Sequence, residues 1–194
     1  IYFSELESRD TGKPIKLAQS MDIPRAILNL KFFAQYSFEY NFKYKLKNKN
    51  CENTIIRYPL GVVGCISPWN LPLYLFTWKI APALITGNTV IAKPSEITPY
   101  TAFKFSEISL KVGLPPGVLN IIHGEGSKVG DAIVSHSGIK AISFTGGTKT
   151  GMQIAKKTSI FFKKIALEMG GKNPAIIFSD CEYDKMIENV VRST

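Results

Sequence analysis

One glutamate in this 194-residue chain occupies a position that suits a general base. Glu168 follows the apolar run 164–167 and precedes Met169 and two glycines, which predicts a strand end beside a bend with little side-chain bulk. In open α/β sheets, ligands bind at that edge. A second apolar run at 174–178 would place the carboxylate between two buried strands, an environment that suits proton abstraction. An ordinary salt bridge at a strand end explains the same glutamate equally well.

A lysine and a glutamate after another predicted strand suit the binding of a ribose. The strand over residues 88–92 ends at Lys93, and Glu96 follows three residues later. An ammonium group there supplies a positive charge and hydrogen bonds for ribose or phosphate, and a carboxylate can accept hydrogen bonds from ribose hydroxyls. Taken alone, the same residues are typical of a tight βα turn without a ligand.

Glycines follow the next two predicted strands. Gly124, Gly126 and Gly130 form a GxGxxxG pattern rather than GxGxxG, so they are a weak dinucleotide signal. The run Phe-Thr-Gly-Gly at 144–147 opens a helix whose free N–H groups favour an anion. Each turn by itself needs no ligand, whereas their combination with Glu168 favours a nucleotide site.

An asparagine completes the candidate groups. Asn70 follows Trp69 after the predicted strand 60–66, and its side-chain NH₂ can donate a hydrogen bond. Beside a reacting carbonyl, that donor would stabilise an oxyanion. A turn asparagine that caps the following helix is the common alternative.

These groups can meet only if a parallel sheet brings the strand ends together. From Tyr58 onward, apolar runs of strand length alternate with helical patterns, with strands predicted at 60–66, 88–92, 118–122, 140–144, 164–167 and 174–178, and helices at 73–84, 99–112, 126–135, 148–157 and 183–194. The alternation predicts an α/β fold, a Rossmann-like open parallel sheet with helices on both faces. Five residues are then expected to face one cleft: Asn70, Lys93, Gly126, Thr145 and Glu168.

The first 58 residues have a different pattern. Helical spacing predicts a helix over 1–8 and a long one over 14–40, in which Pro24 is expected to produce a kink. Residues 41–58 alternate in polarity and predict an exposed hairpin. We therefore expect an N-terminal helical segment (1–40) packed on the cofactor domain, a hairpin for oligomerisation (41–58) and a Rossmann-like dinucleotide-binding domain (59–194).

Composition narrows the class of protein. With 24 basic and 15 acidic residues the net charge is +9, but four alternate lysines lie at 43–49, where they suit a solvated strand edge better than nucleic-acid binding. The odd cysteine count (Cys51, Cys65, Cys181) fits a reducing compartment, and a cytoplasmic location is expected. His123 and His136 are too few and too far apart for a metal cluster, and no apolar stretch is long enough for a membrane span.

Together the motifs resemble the aldehyde dehydrogenase superfamily. They occur in family order over nearly the whole chain, as ISPWNLP at 66–72, GNTVIAKPSE at 87–96, GLPPGVLN at 113–120, ISFTGG at 142–147 and LEMGGKNP at 167–174. Within the family, residues 21–25, 32–34 and 68–75 look most like the branch that oxidises semialdehydes such as 2-aminomuconic semialdehyde.

The resemblance implies that an aldehyde is oxidised to the carboxylic acid with NAD or NADP. Glu168 matches the general base that activates water to hydrolyse a thioester, and Asn70 matches a donor of the oxyanion hole. Lys93 and Glu96 match the adenosine-ribose contacts, and the carboxylate favours NAD because it repels a 2′-phosphate. Other positions that match the cofactor site are Ile66, Ser67, Pro68, Trp69, Ser95, Gly126, Gly130, Phe144, Thr145, Gly146, Gly147, Thr150, Met169 and Gly170.

The chain departs from the family pattern at two points. Gly147 stands where the family usually has serine, which removes one hydroxyl near the phosphates. The family's nucleophilic cysteine, in an Asn-x-Gly-Gln-x-Cys type of motif, does not occur among these residues, and Cys181 lacks that context.

We therefore expect the cofactor-binding portion of a homo-oligomeric parent, a dimer or tetramer, without the catalytic-cysteine domain and inactive alone. Its small partner would be an aldehyde, with no metal, nucleic acid or membrane involved. The alternative is a non-catalytic module that binds NAD or dimerises. A basic nucleic-acid binder is the least favoured hypothesis.

Overall fold

The computed structural model describes residues 1–171 and 174–193. Lys172 and Asn173 of the glycine-rich motif after Glu168, and Thr194 at the end of the last predicted helix, lie outside the described residues.

Helices occupy the N-terminal segment. Helix α1 spans Tyr2–Thr11. Helix α2 (Ile15–Leu17) continues through a π-helical turn, Ala18–Asp22, into α3 (Ile23–Glu39). Pro24 lies in the first turn of α3, where its missing N–H costs little. The predicted long helix is therefore confirmed, but its irregularity is the π-helical turn before Pro24 rather than a break at the proline.

A separate two-stranded ribbon follows. Strand β1 (Lys43–Lys47) pairs antiparallel with β2 (Glu52–Ile56), with Lys45 opposite Thr54. The ribbon confirms the predicted hairpin. Its alternate lysines are exposed and keep its outer edges solvated.

The remaining strands form one parallel sheet. Its members are β3 (Val62–Ile66), β4 (Thr89–Lys93), β5 (Leu119–Ile121), β6 (Ile139–Gly146) and β7 (Lys164–Met169), in the order β5-β4-β3-β6-β7. All four pairings are parallel, which confirms the predicted α/β sheet. The chain order reverses between β3 and β6, and the crevice outside such a reversal is where open sheets bind ligands.

Helices cover both faces of this sheet. They are α4 (Pro72–Ile85), α5 (Tyr100–Lys111), α6 (Asp131–Ser135, preceded by a π-helical turn at Gly126–Gly130) and α7 (Thr148–Ser159), and α8 (Tyr183–Ser193) ends the described chain. Alternation along β3 sends Val63 and Cys65 into a core with α3 and α4, while Ile66 joins a second core with α6 and α7. Gly64 has no side chain because a Cβ there would lie 2.5 Å from Ile133 Cγ2.

One predicted strand is absent, which corrects the expected surroundings of Glu168. Residues 174–178 are irregular, and Ile176 and Phe178 are 73 % and 70 % exposed. A strand needs a neighbour for its backbone hydrogen bonds, and this segment does not pair with β7. In the described part of the chain β7 is thus an edge strand, and Glu168 is exposed rather than enclosed by two buried strands.

Two buried carboxylates lie in the N-terminal helical segment. Glu7 on α1 is fully buried, and its Oε1 accepts a hydrogen bond from the Leu73 N–H at 3.4 Å. Asp22 is also fully buried, and its Oδ2 lies 2.8 Å from Lys13 Nζ. Burial, with a smaller contribution from Asp22, raises the pKa of Glu7 above its ordinary value. Ionised Glu7 therefore destabilises the fold.

Replacing Glu7 with glutamine is expected to stabilise the chain by about 1 kcal/mol at pH 8, because the amide keeps an acceptor for Leu73 and removes a buried charge. A carboxyl with a raised pKa in the folded state lowers stability only as the pH rises above its unfolded value, so the gain should shrink as the pH falls toward 4.5. Urea unfolding at pH 8 and pH 5 measures this. Glu5→Gln, at an exposed position of the same helix, is the control. A gain that does not depend on pH would contradict the assignment.

Candidate functional site

Two adjoining cavities lie at the carboxyl edge of the sheet. The first, of about 620 Å³, lies beside the ends of β3, β4 and β6 and against α6 and α7. The second, of about 490 Å³, lies beside the end of β7 and the turn after β3. Both are lined by Trp69 and by residues 145–147, so they form one cleft across the reversal of strand order.

The cleft collects all of the candidate catalytic and cofactor-binding residues. The first cavity is lined by Ile66, Ser67, Trp69, Lys93, Ser95, Glu96, Gly126, Gly130, Phe144, Thr145, Gly146, Gly147 and Thr150. The second is lined by Pro68, Trp69, Asn70, Thr145, Gly146, Gly147, Glu168, Met169 and Gly170. The candidate base and the candidate oxyanion donor therefore share one cavity, and the candidate ribose contacts lie in the other.

A fixed ion pair forms the wall of the first cavity. Lys93 ends β4 and is only 2 % exposed, and its Nζ donates to Glu96 Oε2 at 2.8 Å and to the Pro94 carbonyl at 3.0 Å. The Gly126 N–H donates to Glu96 Oε1 at 3.0 Å. Burial by itself opposes ionisation of Glu96, but the hydrogen bonds from Lys93 and Gly126 outweigh it and lower the pKa to about 2. Glu96 is therefore a charged acceptor at any physiological pH.

The turn after β3 is held from both sides. The Ser67 N–H donates to the Lys93 carbonyl at 3.1 Å, and the Thr98 hydroxyl donates to the Trp69 carbonyl at 3.1 Å. Ser67 is 5 % exposed, and its hydroxyl has no hydrogen-bond partner in the described structure although it lines the first cavity. Buried hydroxyls are normally paired, so this one fits a polar ligand atom.

The N-terminus of α7 faces the junction of the two cavities. Gly147 is its N-cap and provides no side-chain cap, and no atom lies within 4 Å of where its Cβ would be. The first N–H groups of the helix are therefore open to an anion. Together with the Ser67 hydroxyl and the carboxylate of Glu96, this arrangement fits a dinucleotide that has a pyrophosphate between two riboses.

The structure adds polar residues that the sequence patterns did not reveal. Lys79 lies on α4 and is only 4 % exposed, and its Nζ donates to the Ser143 hydroxyl at 3.4 Å. Burial lowers the pKa of Lys79, while Cys65 and Glu168 oppose that effect. The sequence could have indicated this burial, because Lys79 lies on the apolar face of the helix predicted over 73–84. Asp131, Gln153 and Lys157 also line the first cavity, and they come from two helices whose packing only the fold defines.

A larger cavity lies away from this cleft. It measures about 680 Å³ and is bounded by residues 175–178 and by α8. It contains none of the groups at the strand ends, so we do not assign the chemistry to it.

Residues 2–194 match the family model described as the aldehyde dehydrogenase family. The chain belongs to the aldehyde dehydrogenase family. The match covers nearly the whole sequence and confirms the resemblance inferred from its motifs.

Several aldehyde dehydrogenases share both sequence and fold with this chain. The 2-aminomuconic semialdehyde dehydrogenase of Homo sapiens is 50 % identical over 193 residues, which cover 99 % of this chain and 40 % of that protein. The 2-aminomuconic 6-semialdehyde dehydrogenase of Pseudomonas sp. is 46 % identical and is covered to 40 %. A betaine aldehyde dehydrogenase of Staphylococcus aureus, solved in complex with NAD⁺, superposes with a TM-score of 0.92 at 38 % identity, over 98 % of this chain and 38 % of that chain.

This chain thus spans about 40 % of the length of the aldehyde dehydrogenases that it matches. Within residues 1–171 and 174–193, no helix is both long enough and apolar enough to cross a membrane. The same residues contain no cluster of three or more His, Cys, Asp or Glu side chains that could hold a metal ion.

Proposed function

We propose that this chain is the cofactor-binding part of an enzyme that oxidises an aldehyde to the carboxylic acid with NAD. The substrate class would be a semialdehyde such as 2-aminomuconic semialdehyde, which the relatives at 46–50 % identity support through their names. The observation that carries the proposal is a single cleft. The Lys93–Glu96 pair, the open N-terminus of α7 and Glu168 follow one another along it.

The residues of the first cavity would hold the cofactor. Glu96 would accept hydrogen bonds from the adenosine ribose, and Lys93 would donate to it. The Ser67 hydroxyl and the N–H groups that follow Gly147 would meet the ribose and the pyrophosphate. When bound, the nicotinamide ring supplies hydride-accepting chemistry, and the negative charge of Glu96 favours NAD over NADP because it repels a 2′-phosphate.

The residues of the second cavity would act on the substrate and on water. Asn70 would donate a side-chain hydrogen bond to an oxygen that gains negative charge. Glu168 would accept a proton from a water molecule, and its exposed position on the edge strand leaves room for that water.

The assembly and location of the whole protein are part of the same proposal. We divide the chain into a helical segment (1–40), a hairpin for oligomerisation (41–58) and a dinucleotide-binding domain (59–194). The whole protein would be a dimer or tetramer in the cytoplasm. The contact of α3 with α4 supports the packing of the helical segment on the dinucleotide-binding domain. Asn29 Nδ2 donates to the Tyr74 carbonyl at 3.0 Å and to Thr77 Oγ1 at 3.1 Å.

Calorimetric titration of the purified chain with NAD, followed by an assay for NADH formation with a panel of semialdehydes, tests the proposal. We expect binding without turnover, because no residue of the chain matches the family's nucleophilic cysteine. Failure to bind NAD by a folded chain would contradict the cofactor assignment, and NADH production would contradict the predicted inactivity.

A non-catalytic module that dimerises is the second candidate, and an exposed aromatic surface favours it. Phe32, Tyr36 and Phe38 on α3 are 56 %, 42 % and 92 % exposed, and Phe42 leads into the hairpin. Apolar surface of this kind marks interaction sites. Sedimentation equilibrium would detect a dimer, whereas a monomer that binds NAD would exclude this candidate in its dimerising form.

Replacing Gly147 with serine is expected to tighten NAD binding about fivefold, because a hydroxyl at this N-cap can hydrogen-bond a phosphate oxygen. The space is available, since nothing lies within 4 Å of the new Cβ. Calorimetry with NAD measures the gain, and adenosine, which has no phosphate, is the control ligand. An equal gain for adenosine would show that the hydroxyl acts elsewhere.

A further inference from the structure

The first cavity extends beyond the groups that suit a ribose and a pyrophosphate. Its outer wall includes Asp131, the first residue of α6, and Gln153 and Lys157 on α7. Lys157 Nζ donates to Asp131 Oδ1, so an ion pair joins the two helices at the cavity wall. The proposed function gives none of these three residues a role.

The order of groups along the cleft indicates which part of a dinucleotide would reach this wall. The reacting end must lie beside Asn70 and Glu168 in the second cavity. The pyrophosphate suits the helix N-terminus at Gly147, which both cavities share. The Lys93–Glu96 pair suits the second ribose. The purine base is then left with the rest of the first cavity, between α6 and α7.

The walls of that space suit a flat ring with a polar edge. Val134 and Ile154 line it and are 3 % and 5 % exposed, so they offer apolar surface to the faces of a ring. Gly126 and Gly130 add no side chain to it, and the nearest atom to a Cβ built on Gly130 would be Lys93 Cδ at 3.8 Å. A ring between these walls would direct its polar edge toward the ion pair.

We propose that Asp131 and Lys157 recognise the edge of the adenine ring and so select an adenine dinucleotide over its hypoxanthine analogue; this rests on the proposed function. Adenine presents a donor at N6 and acceptors at its ring nitrogens. The Asp131 carboxylate accepts from N6, and the Lys157 ammonium donates to a ring nitrogen. Hypoxanthine carries a carbonyl at position 6, whose oxygen would face the carboxylate without a shared proton.

Calorimetric titration of the chain with NAD and with nicotinamide hypoxanthine dinucleotide tests the proposal. The side chains of Lys157 and Asp131 are 49 % and 44 % exposed, so water competes with the adenine ring for their hydrogen bonds. For a charged hydrogen bond of that exposure we expect NAD to bind about tenfold tighter than its analogue. Asp131→Asn should bring the two affinities close to each other, because an amide can present either a donor or an acceptor.

Matched variants separate this role from general effects of charge and folding. Asp184→Asn removes the same charge from α8, away from the cavity, and should leave the preference unchanged. Lys157→Met should weaken NAD several-fold, whereas Lys156→Met, at the adjacent exposed position, should not. Equal affinity of the wild-type chain for both dinucleotides, or a preference that survives Asp131→Asn, would overturn the proposal and leave the proposed function intact. Absence of binding to either dinucleotide by a folded chain would overturn both.

Discussion

Replacing Glu96 with glutamine is expected to raise the affinity of the chain for NADP about 30-fold relative to its affinity for NAD. The carboxylate is held at the cavity wall by Lys93 Nζ at 2.8 Å and by the Gly126 N–H at 3.0 Å. Two unit charges 4 Å apart near a protein surface repel by about 4 kcal/mol, and with roughly half of that lost to salt and exposure, about 2 kcal/mol remains against a 2′-phosphate.

The pH dependence gives this prediction a second test. Hydrogen bonds from Lys93 and Gly126 overcome the effect of burial and hold the pKa of Glu96 at about 2, so its charge does not change between pH 5 and pH 9. The preference of the wild-type chain for NAD should therefore be constant over that range. The contribution of ionised Glu96 to folding stability should be lost only as the pH falls from 4.5, the pKa in the unfolded chain, through about 2.

A neighbouring glutamate offers the matched control for this experiment. Glu125 lies on the adjacent loop, pairs with Lys128 at 3.1 Å and does not line the cavity. Glu125→Gln removes the same charge and should leave the ratio of the NAD and NADP dissociation constants unchanged. A wild-type chain that binds NADP as tightly as NAD would contradict the assigned role of Glu96.

Replacing Lys13 with methionine is expected to cost about 3 kcal/mol of folding free energy, because it leaves a buried charge without its partner. Asp22 is fully buried, its Oδ2 lies 2.8 Å from Lys13 Nζ, and its Oδ1 has no hydrogen-bond partner in the described structure. At about 3 °C per kcal/mol, the midpoint of thermal unfolding should fall by about 9 °C. Calorimetry or circular dichroism measures both quantities.

The double variant identifies the cause of that loss. Adding Asp22→Asn to Lys13→Met removes the orphaned charge and should recover a large part of the stability, as a coupling energy in a double-mutant cycle. Lys185→Met breaks an exposed pair with Glu182, whose side chains are 72 % and 67 % exposed, and should cost less than about 0.5 kcal/mol. A loss of similar size in both lysine variants would contradict the importance of burial.

Local patterns in the sequence were sufficient for most of the architecture. Apolar runs of strand length after Tyr58 predicted the five strands of the described parallel sheet. Each buried strand must be apolar, and turn residues mark the point where it ends. The same patterns placed Lys93, Gly126 and Glu168 after strands. Since parallel strands share a carboxyl edge, their convergence follows from topology. The family resemblance supplied their suggested roles.

Patterns of this kind failed where an element depends on its neighbours. The run 174–178 has the composition of a strand, but in the described structure it does not pair with β7, so it stays irregular and exposed. Glu168 consequently lies on an exposed edge rather than between two buried strands.

The sequence by itself determined the family, the parallel α/β fold and the candidate site residues at the strand ends, because these depend on local periodicity and on motifs. Only the tertiary structure revealed the buried Lys13–Asp22 pair, the burial of Glu7 and Lys79, and the Asp131–Lys157 pair at the cavity wall. Those features depend on contacts between separate elements of the fold. Burial and charge pairing between them depend on packing angles and distances, which no single segment encodes.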